Sequence, residues 1–215
     1  MTHQGFINLD RYPIHSASAK LNHEIDEARR ALAVDGCAVL RGFLTPAGVC
    51  ALAAESDASA QYAHETFSRT NPYFTQDDTS LPKAHPQRRF FNRSNAFVPA
   101  VNFHKQGALR SIHDAPGFDD FVESCLQEDQ FYRYGDPLAD VIVNVANEGP
   151  GFPWHFDTNN FTVTLAIQNA EEGGEFEYAP GIRKDDENFE EEDDFDDIEN
   201  IDLDSIVDES TATDD

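Results

Sequence analysis

A histidine and a carboxylate stand two residues apart at His155 and Asp157, just ahead of the alternating run Thr162-Val163-Thr164-Leu165-Ala166-Ile167. At strand period, residues i and i+2 leave the backbone on one side. An imidazole nitrogen and a carboxylate oxygen are therefore expected to project into a common space. That donor pair makes two-thirds of the facial triad that leaves iron(II) open positions for a co-substrate and oxygen. A second histidine would complete it, and none of the eight histidines lies beyond His155. His104 and His113 are the upstream alternatives, where helix-surface or capping roles compete with ligation. A bare His-x-Asp is more often a surface pair or a core hydrogen bond, so its surroundings decide its meaning.

The elements that must position this pair fall into two blocks. Phe6-Ile7-Asn8-Leu9 suggests a short edge strand. Leu21, Ile25, Ala28 and Leu32 then recur at helical spacing until Asp35-Gly36 stops the helix. Residues 37–40 read as a buried strand, and Thr45-Pro46 opens a second helix in the favoured cap-then-proline order, running to about residue 62. Residues 65–100 are rich in aromatics, Pro, Asn and Arg and predict a long irregular loop, of the kind that is functional or folded over a core. Helices are expected at 109–112 and 117–128, the second with Phe118, Phe121, Val122 and Cys125 on one face.

From residue 139 the pattern becomes β. Val141, Val143 and Val145 alternate, Glu148-Gly149-Pro150-Gly151 turns, residues 161–168 alternate again, and Glu171-Glu172-Gly173-Gly174 turns into a further strand at 175–178. Tyr132 and Tyr134 are expected to pack in the core, with pocket lining as the alternative, and Trp154 to wall a pocket or fill packing space. Gly173-Gly174 is a hairpin turn, because no helix start or lysine follows to make a phosphate loop. Helices first and hairpin-linked strands after them indicate an α+β chain whose second half is a β-sandwich or barrel.

The 215 residues, 40% apolar and 11% aromatic, suit one domain with appendages. Of the 41 acidic side chains, 17 lie in residues 185–215, which hold no Lys or Arg; residues 1–184 balance 24 acids against 15 bases, or −9. The acidic stretch predicts a solvated, disordered tail. A net charge of −26 argues against nucleic acid as a partner, since polyanions repel. No run approaches the roughly 18 apolar residues of a membrane span, and no leader-type hydrophobic stretch opens the chain. Cys37, Cys50 and Cys125, odd in number and widely spaced, are expected to be reduced, buried thiols of a cytoplasmic protein.

Three segments carry a resemblance that reaches past the ligand pair: Tyr132-Arg133-Tyr134-Gly135-Asp136-Pro137, Gly151-Phe152-Pro153-Trp154-His155-Phe156-Asp157-Thr158-Asn159 and Glu171-Glu172-Gly173-Gly174-Glu175-Phe176-Glu177-Tyr178-Ala179-Pro180-Gly181-Ile182-Arg183. They resemble the iron(II)- and 2-oxoglutarate-dependent oxygenases, in particular the subgroup that hydroxylates or chlorinates free amino acids such as lysine. The resemblance covers residues from about 35 to 188 and implies a double-stranded β-helix core, the jelly-roll or cupin-like arrangement. It implies iron(II) on His155 and Asp157, 2-oxoglutarate as co-substrate, and Arg93 of Arg93-Ser94-Asn95 on the substrate carboxylate, an anion that the guanidinium fork suits; a loop arginine paired with a nearby acid is the competing role.

Halogenases of the subgroup carry glycine where Asp157 stands, so the resemblance implies hydroxylation of a small amino acid or related metabolite. The family continues past Gly181-Ile182-Arg183 into strands that bring a distal histidine and a basic residue. Here Arg183 and Lys184 are the only bases after Asp157. The oxygenase-like domain (1–184) is accordingly expected to be incomplete at its C-terminal end. A half-built sheet exposes an edge and an apolar face, so homo-oligomers are expected. The alternative function is a catalytically inactive remnant or binding protein that lacks the distal histidine.

Overall fold

Ser18 starts the first helix by accepting a hydrogen bond from the Leu21 amide (3.1 Å), and Gly36, at φ 64, ends it by donating to Leu32 O. Only glycine takes that left-handed turn without strain. This helix, α1 (Ala19–Asp35), buries Leu21, Ile25 and Ala28, as its periodicity requires. The computed structural model describes residues 5–148, 151–157, 159–180 and 182. The acidic tail, Gly149-Pro150, Thr158, Gly181, Arg183 and Lys184 lie outside the described residues. Contacts divide the chain into Met1–Tyr178 and Ala179–Asp215, and every element below belongs to the first unit.

Thr45 caps α2 (Pro46–Ser59) through the Gly48 amide at 3.0 Å, with Pro46 in the first turn, where its missing N–H costs nothing. A 3₁₀ turn, Ala60–Tyr62, carries the helix to its expected end. Two short helices follow, α3 (Ala108–His113) and α4 (Phe118–Leu126). The predicted face of α4 is buried at Phe121, Val122 and Cys125, with Phe118 against the same core. Helix α1 packs on α4, and Arg29 Nε donates to Ser124 O at 2.8 Å. The aromatic centre is Tyr12, Phe43 and Phe121. Phe43 stacks on Phe121 at 6.0 Å and tilts against Tyr12 at 5.3 Å, while the Tyr12 hydroxyl reaches Arg41 O.

Residues 65–100 are not the continuous loop that the sequence suggested. They contain β1 (His64–Thr70) and β2 (Phe91–Pro99), paired antiparallel from His64↔Phe97 to Thr70↔Phe91. A third strand, β3 (Ile142–Asn144), pairs with the far edge of β2, giving the order β1-β2-β3. The reason for the misreading is burial. Strand β1 is exposed along almost its whole length, so no apolar alternation marks it. Strand β2 does alternate: Ala96 and Val98 are buried, while Arg93, Asn95 and Phe97 occupy the other face.

The described residues are thus α+β, with helices and a small antiparallel three-stranded sheet. In the later half, Val143 is buried and Val141 and Val145 pack against the core, as their spacing predicted. Residues 161–168 and 175–178, expected as strands, have no ladder partner among the described residues. A strand without a neighbour lacks the hydrogen bonds that define it. Leu165 and Ile167 nevertheless pack on the core, and Gln168 Nε2 donates to Asp57 of α2 at 3.2 Å. Residues 37–40 form no strand, although an isolated bridge joins Ile7 to Leu44 nearby.

Tyr132 and Tyr134 are 79% and 62% exposed, against the expectation of core packing. The cysteines are all free thiols, but only Cys125 is buried, and Cys50 is exposed. Burial pushes the Cys125 thiol up to about 11. Among the described residues, no helix is long and apolar enough to cross a membrane.

Candidate metal and substrate site

His155 and Asp157 converge. Their Nε2 and Oδ1 atoms are 3.3 Å apart, with the imidazole mostly covered and the carboxylate half exposed. The convergence is made by a bent loop and not by a strand: Phe156 N donates to Pro72 O at 2.9 Å, and the Phe156 ring lies 4.9 Å from Tyr73. Further back, Gly151 and Ser94 exchange two hydrogen bonds, Ser94 N to Gly151 O (3.1 Å) and Gly151 N to Ser94 Oγ (3.0 Å). The segment is therefore stitched to β2 at one end and to the 71–75 loop at the other.

The His155 ring has a defined tautomer. Nδ1 lies 2.7 Å from Pro153 O, a carbonyl that can only accept, so Nδ1 carries the proton. In the neutral ring this leaves Nε2 a bare lone pair beside Asp157 Oδ1. Two acceptors at that distance repel unless a proton or a cation sits with them, and a backbone acceptor on the far nitrogen is the outer support that metal-bound histidines use. Asp157 keeps its own orientation by accepting from Thr162 Oγ1 at 2.7 Å on Oδ2. One carboxylate oxygen is thus held by the protein and the other faces the imidazole.

Arg93 adjoins the same place through Phe74. The guanidinium carbon lies 5.0 Å from the Phe74 ring and 5.5 Å from that of Phe152, and the His155 ring lies 5.4 Å from Phe74. One aromatic ring therefore touches both the expected metal ligand and the expected carboxylate contact. Cation–π contact holds the guanidinium without neutralising it. Among the described residues no carboxylate pairs with Arg93, and its Nε is buried without a hydrogen-bond partner. Asn95, two residues on, presents a buried Oδ1 in the same condition. Buried polar atoms left unmade cost about 1–3 kcal/mol each, so two together on one strand call for a reason.

Phe74 and its support were not foreseen as functional. Phe74 sits at φ 55, a region that costs a bulky residue about 1–3 kcal/mol. Asn71, 1% exposed, imposes that shape. Its Oδ1 accepts from the amides of Tyr73 (3.0 Å) and Thr75 (3.1 Å), and its Nδ2 donates to Thr75 O (3.1 Å) and Gln87 O (2.6 Å). The signal available in the sequence was Asn71-Pro72, a turn-starting pair whose side chain can copy a backbone turn.

The alternative histidines are engaged elsewhere. His104 Nδ1 accepts from the Gln106 amide at 3.1 Å, a local cap. His113 Nδ1 lies 2.8 Å from both Asp114 Oδ1 and Arg133 Nη1, within a cluster where Arg133 also forks onto Asp119. Among the described residues, no group of three or more His, Cys, Asp or Glu side chains is arranged to hold a metal. Trp154 is half-buried in the ligand loop. No protein-family model, curated protein or solved structure matches this chain.

Proposed function

We propose that the chain is an iron(II)- and 2-oxoglutarate-dependent dioxygenase, of hydroxylase type, acting on a small amino acid or related metabolite. The observation that carries this reading is the 3.3 Å approach of His155 Nε2 to Asp157 Oδ1, with Nδ1 tied to a carbonyl. The donor set fits iron(II): a neutral imidazole and a carboxylate are the mixed nitrogen and oxygen ligands that ion takes. When bound, iron(II) with 2-oxoglutarate would activate dioxygen for C–H hydroxylation, one oxygen atom going to the substrate and the other to succinate, with loss of CO2. A jelly-roll core, of which the three-stranded sheet and the packed 161–168 segment would be parts, belongs to the same proposal.

The chain's own share is positioning. Pro153 O orients the His155 ring with Nε2 toward Asp157, Thr162 keeps the Asp157 carboxylate turned, and Arg93 holds a carboxylate of the substrate. Phe74 stands against both His155 and Arg93. A cytoplasmic setting suits the reduced thiols this reading assumes.

The test is anaerobic titration of iron(II) with 2-oxoglutarate, followed by succinate release on admitting air. Both the metal-to-ligand absorption band and iron-dependent succinate should appear, and both should vanish in His155→Ala. Undiminished turnover in that variant would remove the assignment.

A second reading rests on the two-member ligand set. With no third protein ligand grouped among the described residues, the same Arg93 and aromatic pocket would serve a catalytically silent small-molecule binder. Substrate-dependent binding without any iron-dependent absorption would favour it. Association of copies belongs to either reading, since Phe161, Val163, Phe176 and Tyr178 are exposed on the later segments. Sedimentation should show mass rising with concentration; a single monomer mass throughout would reject it.

A further inference from the structure

Strand β2 sends Arg93 and Asn95 to one face and Ala96 and Val98 to the other, so the two unpartnered polar atoms, Arg93 Nε and Asn95 Oδ1, share a side of the sheet. One is a donor and the other an acceptor. They do not satisfy each other, and no described side chain satisfies either. The rest of the loop wastes nothing: Asn71, equally enclosed, uses both amide atoms fully. An unmade donor beside an unmade acceptor is therefore specific to this strip of β2. Its complement is a small ligand offering an acceptor and a donor from adjacent atoms.

We propose that Arg93 and Asn95 together hold the zwitterionic head of a free α-amino acid, the carboxylate on the guanidinium and the ammonium on Asn95 Oδ1. The inference rests on the amino-acid reading of the site and deepens it, since it assigns Asn95 as the residue that separates amino acids from plain carboxylic acids. An α-amino acid carries both groups on one carbon, as the i, i+2 spacing on one strand face requires. A simple acid or a 2-oxo acid would satisfy Arg93 and leave the amide oxygen unmade. A site built to hydrogen-bond a group rejects the analogue lacking it far more strongly than an apolar site does.

The neighbouring rings border the strip: Arg93 lies 5.0 Å from the Phe74 ring and 5.5 Å from that of Phe152, and Phe74 is 37% exposed.

The experiment uses the full chain stripped of metal with EDTA. Each common L-α-amino acid is titrated by calorimetry, and the tightest is compared with its α-deaminated acid and its methyl ester. One amino acid should bind, and loss of either head group should weaken binding at least roughly tenfold. Asn95→Leu should weaken it similarly while leaving the melting temperature unchanged or raised, because an unmade polar atom is removed. Binding of no amino acid, equal binding of the deaminated acid, or unchanged binding in Asn95→Leu overturns the proposal. If Asn95→Leu fails to fold, the analogue series on the wild-type chain decides. Because metal is absent throughout, a failed iron titration with intact amino-acid binding rejects the oxygenase reading alone, and the converse rejects this one alone.

Discussion

Asn71 is the residue on which the site's shape depends. Replacing it by alanine leaves the Tyr73 and Thr75 amides and the Gln87 carbonyl without their partners inside a nearly closed space. Asn71→Ala should lose about 2–4 kcal/mol of stability, read as a lower urea midpoint, and should weaken any ligand that contacts Arg93. A variant as stable as wild type would show that the loop is held by something else. The convergence of His155 and Asp157 was legible in the sequence because it sits in local spacing, two residues along one chain. Asn71 and Phe74 were not, because their role needs Gln87 and Arg93 brought back from 16 and 19 positions further on. The pairing of Arg93 with the His155 pocket lay between these cases: resemblance suggested the residue, and only the fold supplies the shared aromatic ring.

At the level of elements, the joints between helices are as constrained as the helices. Gly117 begins α4 at φ 81, and a methyl group there would come within 2.0 Å of Ile14 O, a backbone atom that cannot step aside. Gly117→Ala should therefore cost roughly 3 kcal/mol or more, well above the usual penalty for a left-handed position. Thermal unfolding would check it, and a melting point within two degrees of wild type would contradict the close approach. Helices α1 and α2 were readable almost to the residue, since Ser18, Gly36, Thr45 and Pro46 are caps that act locally. Strand β1 was unreadable, because an exposed strand next to a polar-faced partner has no apolar rhythm. Residues 161–168 show the opposite failure: the rhythm is present, with Leu165 and Ile167 turned to the core, but no neighbouring ladder is described beside it.

Across the whole molecule, acid should act through carboxylates that the fold holds ionised, Asp140 and Asp114 among them. Arg110 forks onto Asp140 at 2.6 and 3.0 Å, and that hydrogen bond holds the Asp140 carboxyl below its ordinary value. Burial pushes Asp114 up, yet hydrogen bonds from His113 and Arg133 outweigh it and the balance is downward. Both groups bind protons more readily unfolded than folded. Their contribution is complete above the ordinary carboxylate range near pH 4 and is lost as pH falls through the lowered folded values. The urea midpoint should drop as pH falls from about 5 through the lowered folded values, and less steeply in Arg110→Gln, which already lacks the Asp140 pair. An identical slope in both proteins would show that other groups govern acid unfolding.

The two-faced character of β2 carries one more consequence. If the strand paired one residue out of step, Val98 would turn outward and Arg93 inward, so hydrophobic burial and ligand recognition would fail in the same molecule. Any small molecule gripped by this strip would then count only correctly threaded copies. Titrated stoichiometry would serve as an assay for the properly aligned fraction of a preparation.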